Sequence, residues 1–136
     1  MLVQLFEGAG QRILRQQILG LLKNVVQRNW TVRRRVAGQC YLSESQKEAI
    51  RERVLQLYKL HWRDYYQQFN MIFEEIAKQD FPTNYPALYS FIVAVLNTLS
   101  SYSLEQILVS EELLPYLSTV KKVLKNYGKR RILHSR

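Results

Sequence analysis

The chain has 136 residues, of which 47% are hydrophobic, 12% aromatic and 23% charged. That size suits one domain, and a hydrophobic content near one half with 5 Gly and 3 Pro excludes bulk disorder, collagen-like repeats and low-complexity sequence. The net charge of +9 sits in two zones, 1–41 (+6) and 121–136 (+7), around a middle of −4.

Residues 1–7 have no basic stretch before their apolar part and no cleavage site after it, so they do not read as a signal peptide. The first helix is expected over about 11–29. Leu14, Ile18, Leu21, Leu22, Val25 and Val26 recur at helical spacing as one apolar stripe. Gly20 lies inside it, a local cost that a close helix approach would explain. A loop follows over 30–42. It carries Arg33, Arg34, Arg35, Gly38 and the single cysteine, Cys40, which excludes an intramolecular disulfide and fits a cytosolic or nuclear compartment.

The second helix is expected over about 44–59. Ser43 reads as its N-cap, and Gln46 completes a capping box. Ile50, Val54, Leu57 and Tyr58 face a core, whereas Glu44, Lys47, Glu48, Arg51 and Glu52 face solvent or a partner. The third helix, about 63–78, carries a broad stripe from Trp62, Tyr65 and Tyr66 through Phe69, Ile72, Phe73 and Ile76 that reads as core. Asp80-Phe81-Pro82 ends it, because a residue before proline is pushed out of the α region.

The fourth helix, about 86–99, has Asn84 as cap and Pro86 in its first turn. Leu88, Phe91, Ile92, Val95, Leu96 and Leu99 form a wide apolar face, and Ser90 and Asn97 mark a narrow polar edge, so neighbours should enclose it. Ser90, Asn97 and Thr98 interrupt the apolar run, which is also shorter than the ~20 residues a bilayer needs; no membrane span is expected. A last helical region, about 104–127, is split by Pro115 and closed by Gly128 as a C′ glycine. A basic tail over 128–136 follows. No strand is expected, so the chain is all-α with five or six helices.

Motifs for catalysis and metal binding are missing. His61 and His134 stand alone, and no Cys/His or carboxylate cluster has metal spacing. No phosphate loop, GxGxxG or GxSxG is present. Glu74-Glu75 and Glu111-Glu112 are adjacent on helices, where neighbours point about 100° apart and do not converge. No catalytic residues, cofactor or metal site is expected, and the chain does not read as an enzyme.

The basic residues Arg33, Arg34, Arg35, Lys121, Lys122, Lys125, Lys129, Arg130 and Arg131 form a candidate patch for an acidic partner. Nucleic acid is disfavoured because aromatics suited to stacking are not interleaved with them.

Helix starts near 11, 62 and 110 suggest two-helix units about fifty residues apart. Periodicity alone leaves a compact bundle as the rival. A resemblance favours repeats. The segment 22–30 (LKNVVQRNW) resembles the "LKN…W" segment near the N-terminus of importin-β superfamily nuclear transport receptors. The segment 42–51 resembles "LSEEEK…LR", and 76–88 (IAKQDFPTNYPAL) resembles "IA…DFP..WP.L", the punctuation of an early HEAT repeat, with Tyr85 in place of Trp. The run 122–132 is similar to that of the importin-11 branch.

The resemblance spans about 13–132 and implies an α-α superhelix of HEAT/armadillo-like helical hairpins, about two and a half repeats in one segment, 1–136. The family is several times longer, so the chain resembles an N-terminal piece, a short isoform or a truncated gene product. The resemblance also implies binding of Ran in its GTP form, cargo proteins and, in a longer form, nucleoporins, with a location in nucleus, cytoplasm and nuclear envelope. It places partner contacts on the second helix of each repeat. On the helical wheel these are Glu44, Glu48, Arg51 and Glu52, then Ser90 and Asn97. Two alternatives remain at this point: a basic helical module binding protein or nucleic acid, and a product without independent activity whose open end self-associates.

Overall fold

The computed structural model describes residues 2–8, 10–30 and 42–134, with side chains described up to 125 except that of Val3. Among these residues every regular element is a helix. They are α1 (Leu2–Gly8), α2 (Arg12–Asn29), α3 (Glu44–Asp80), α4 (Pro86–Leu99), α5 (Leu104–Val109) and α6 (Leu113–His134). Of the expected loop over 30–42, residues 31–41, with Arg33, Arg34, Arg35 and Cys40, lie outside the described residues.

The α3 helix contains both the expected second and third helices, joined across a kink at Tyr65 with no longer loop between them. Ser43 caps it with the expected capping box, its Oγ accepting from Gln46 N while Gln46 Oε1 accepts from Ser43 N. A straight helix of 37 residues would span about 55 Å. This one turns back on itself. Tyr65 has non-helical angles (φ −132, ψ 19). Across it, Tyr58 packs edge-on to Phe73 with ring centroids 5.3 Å apart, and Arg51 Nε donates to Asp80 Oδ2 at 2.9 Å. Both pairs are symmetric in sequence about residues 65 and 66. The two arms, 44–64 and 66–80, therefore form an antiparallel helical hairpin.

Two further helices, α2 and α6, pack on separate faces of the hairpin. The Arg12 guanidinium donates to the Asp64 carbonyl, and Gln68 and Met71 share a groove with Leu21 and Lys23 of α2. Asn70 and Glu74 instead reach α6, through Ser118 and Lys125. At 100° per residue, Gln68 and Met71 centre about 110° around the helix from Asn70 and Glu74. So α2 and α6 meet the second arm on separate faces. The α1 helix, unforeseen in the sequence, plugs the hairpin tip: buried Phe6 contacts His61, Tyr65 and Phe69 edge-on. A buried polar lock joins α6 to both arms. Thr119 Oγ1 donates to Asn70 Oδ1 at 2.6 Å, which leaves Tyr58 Oη to donate to Thr119 at 2.7 Å.

Several local expectations are revised. Leu14 and Leu21 are exposed and Leu19 is buried instead, because only one edge of the α2 stripe meets the hairpin. A Cβ at Gly20 would meet open space, so no close approach requires this glycine. Asn84 does not cap α4; the N-cap is Tyr85, with no side-chain cap, and Pro86 follows in the first turn. The last region divides at 110–112, where Ser110 Oγ accepts from Leu113 N. Pro115 sits in the first turn of α6, where its missing N–H has no helical partner to lose. The helix then continues through Gly128. The α4 helix is not enclosed: Leu88, Ile92, Val95 and Leu99 are buried, while Tyr89, Val93 and Leu96 are exposed.

Candidate functional site

The candidate surface begins at the open end of the hairpin, where four chain segments converge on Asp80. Asp80 Oδ2 accepts from Trp30 Nε1 at 2.7 Å and from Arg51 Nε at 2.9 Å. Arg51 Nη1 donates to Glu48 at 2.9 Å and to Glu44 at 3.1 Å. The guanidinium carbon lies 5.3 Å from the Trp30 ring centroid, a cation–π distance. From the far side, the Tyr85 hydroxyl donates to the Arg51 carbonyl.

These contacts reassign one predicted residue. Arg51 is only 4% exposed and belongs to the framework at the base of the cleft between α3 and α4, not to the solvent-facing side of the helix. Burial works against its charge, but the bonds and charge of Asp80, Glu44 and Glu48 outweigh that and raise its pKa above the ordinary value. Burial also raises the pKa of Tyr85 and keeps its phenol a neutral donor.

Arg51 in turn places the acidic residues. Glu44 and Glu48 are held from below while their side chains stay largely in solvent. Glu48 and Glu52 line a cleft of about 300 Å³ with Gln56, Lys59 and the 84–87 turn. The first arm of α3 and the start of α4 thus contribute to one concave feature. Ser90 and Asn97 lie farther along α4, both exposed.

The basic set divides. Lys122 and Lys125 pair with Glu74 at 3.8 and 3.3 Å, and Lys121 is exposed. The side chains of Lys129, Arg130 and Arg131 lie outside the described residues, although the α6 backbone passes through them. Arg33, Arg34 and Arg35 fall in the undescribed segment.

Trp30 and Asp80 were missed as a pair by sequence reasoning. Trp30 reads as the start of a loop and Asp80 as a helix end, and their separation of fifty positions hides the contact from any periodicity. The signal available was Asp80 next to Phe81-Pro82, where both Phe81 and the later Tyr85 are buried.

Among the described residues, no group of three or more His, Cys, Asp or Glu is placed to hold a metal, and no helix is long and apolar enough to cross a membrane. Glu74 pairs with Lys122 and Lys125 and Glu75 with Lys78, so these two adjacent carboxylates do not converge. The arrangement presents exposed carboxylates beside a concave surface. Comparison with known proteins gave no matching family model, no matching curated protein and no matching solved structure.

Proposed function

We propose that the chain is a HEAT-type segment of an importin-like nuclear transport receptor, about two and a half repeats, that binds Ran in its GTP form. The observation that carries the reading is the hairpin of α3 followed at once by Asp80-Phe81-Pro82 and Tyr85-Pro86. Those residues punctuate helices at the positions the resemblance implies, with Phe81 and Tyr85 buried beneath the turn. On units that start near 11, 62 and 110, the first arm closes one unit and the second arm opens the next, so the reversal at Tyr65 is the junction between two stacked units.

Partner contacts fall to Glu44, Glu48 and Glu52 on the first arm and to Ser90 and Asn97 on α4. Arg51 acts as the positioning residue beneath the glutamates. Cargo and Ran would be linked through curvature, each altering the affinity of the other. Protein import, with residence in nucleus, cytoplasm and nuclear envelope, follows from this role. The nucleotide belongs to Ran, so the chain itself needs no cofactor.

Binding to Ran loaded with a non-hydrolysable GTP analogue and to Ran·GDP, each at 50 and 300 mM salt, tests the proposal. A preference of about tenfold or more for the GTP form, reduced by the double change Glu48→Gln and Glu52→Gln, is expected. No preference with a folded sample overturns it.

One observation favours a second reading. The α6 helix continues through Gly128 to His134, so the basic run beginning at Lys121 is carried mostly on a helix and not on a tail. A basic helical module would bind both nucleotide forms equally and lose affinity steeply with salt.

A further inference from the structure

We propose that α1 is a hinged plug that leaves the hairpin tip when His61 takes up a proton, baring an aromatic socket. Seven residues are too few for a helix to hold in water by itself, so α1 exists because it is docked. Its hold is narrow. Among its described side chains only Phe6 is buried; Leu2 is half-buried and the others are exposed. Phe6 meets His61, Tyr65 and Phe69 edge-on, at centroid distances of 5.2, 5.6 and 6.2 Å, and the Arg15 guanidinium carbon lies 5.0 Å from its ring centroid. At the other end of α1, Leu2 borders an open groove of about 470 Å³ beside Leu22, Val25 and Ile50, so that end is loosely filled. Gly8 and Gly10 bracket the connection to α2, and a Cβ at either meets nothing within 4 Å. Packing does not require glycine at these positions; its presence widens the backbone angles open to the connection.

Charge decides when the plug leaves. The charged groups around His61 come from three helices: Arg15 from α2, Glu7 from α1 and Asp64 from its own arm. Burial and Arg15 disfavour the imidazolium, Glu7 and Asp64 favour it, and the first two outweigh the second two. Departure of Phe6 returns the imidazole to water and removes part of that burial, so the released state binds the proton more readily. Docking is therefore fullest well above pH 6.5, and release grows as pH falls through 6.5 toward the lower docked value. Glu7 leaves with the plug and opposes this response, so removing its charge sharpens it. The Asp80 hub and the Thr119 lock do not involve α1, and the remaining helices stay folded without it.

The inference does not rest on the Ran reading, because the chain alone is measured. A nitroxide on Leu5→Cys, an exposed position, in a Cys40→Ser background reports docked and released α1 as slow and fast components of the spin-resonance spectrum. The ratio of released to docked should rise about threefold or more from pH 7.5 to 5.5, while Trp30 fluorescence and far-UV circular dichroism show the other helices folded. His61→Gln should hold the ratio level, and Glu7→Gln should steepen its rise. Phe6→Ala should be released at both pH values. A ratio indifferent to pH, a response kept in His61→Gln or lost in Glu7→Gln, a Phe6→Ala protein that stays docked, or release only together with unfolding of the other helices would each overturn the proposal.

Discussion

Asp80 ties three helical segments of this fold together. One of its oxygens holds both the indole of Trp30 and the guanidinium of Arg51, so α2 and both arms of α3 are tied at a single atom. Removing a partner from a buried ion pair leaves the other charge uncompensated, at about 3–5 kcal/mol. Asp80→Ala should fall at the lower end, about 3 kcal/mol in urea denaturation, because Arg51 retains Glu44 and Glu48. Glu48→Ala, at an exposed position, should cost under about 1 kcal/mol. Equal losses from both substitutions would show that the buried bond has no special weight. His61 supplies a pH test. Burial and the nearby Arg15 lower its pKa below 6.5, with Asp64 and Glu7 opposing. The folded state therefore binds this proton less readily than the unfolded state. Stability from this group is unaffected well above pH 6.5 and falls as pH drops through 6.5 toward the lower folded value. Tm should be lower at pH 5.5 than at 7.5, and His61→Gln should flatten that difference; His134 is common to both proteins and cancels in the comparison. An unchanged pH profile in the variant would remove His61 from the account.

At the level of the helix, α2 contains a removable weakness. Gly20 is helical, and a Cβ there meets nothing within 4 Å. Gly20→Ala should therefore raise stability by about 0.5–1 kcal/mol, read as a higher urea midpoint with unchanged slope. A loss would mean that the groove beside Gln68 and Met71 needs an open backbone. The same glycine shows where sequence reading stops. Periodicity identifies α2 as a helix, and local chemistry identifies Ser43 with Gln46 as a capping box, because both signals lie within a few residues. The sequence reading divides this stretch between about 59 and 63, close to the kink at Tyr65, but nothing marks a reversal there: between Glu44 and Asp80 there is neither Gly nor Pro. Packing of the arms forces one residue out of helical angles, and that force is nonlocal. Gly128 fails in the opposite direction, a turn signal absorbed into a continuing helix. The candidate surface divides likewise. The acidic residues of α3 were legible as a polar face. The burial of Arg51 was not, because its partner Asp80 lies 29 positions away.

Across the whole molecule the hairpin is the shared middle layer, and this predicts how the chain unfolds. The α2 flank meets it through Trp30, bonded to Asp80, and the α6 flank through Trp62, whose ring lies 4.5 Å from that of Tyr116. These are the two tryptophans of the chain, one at each interface. Stacked helical units have stability that sums intrinsic and nearest-neighbour terms, so cooperativity depends on how strongly each interface couples its layers. Both interfaces here are dense. One has the Asp80 hub; the other has the Tyr58–Thr119–Asn70 lock and the Glu74 pairs. Neither flank can leave without exposing aromatic surface of α3, so the layers should unfold together. Trp30→Phe and Trp62→Phe proteins each leave one fluorescent reporter. Thermal and urea transitions followed by that reporter and by far-UV circular dichroism should share one midpoint within each protein. Should the Trp62 signal melt before the Trp30 signal, α6 is a detachable layer and the hairpin with α1 and α2 forms the stable unit. The reverse order would place that unit around α3 and α6.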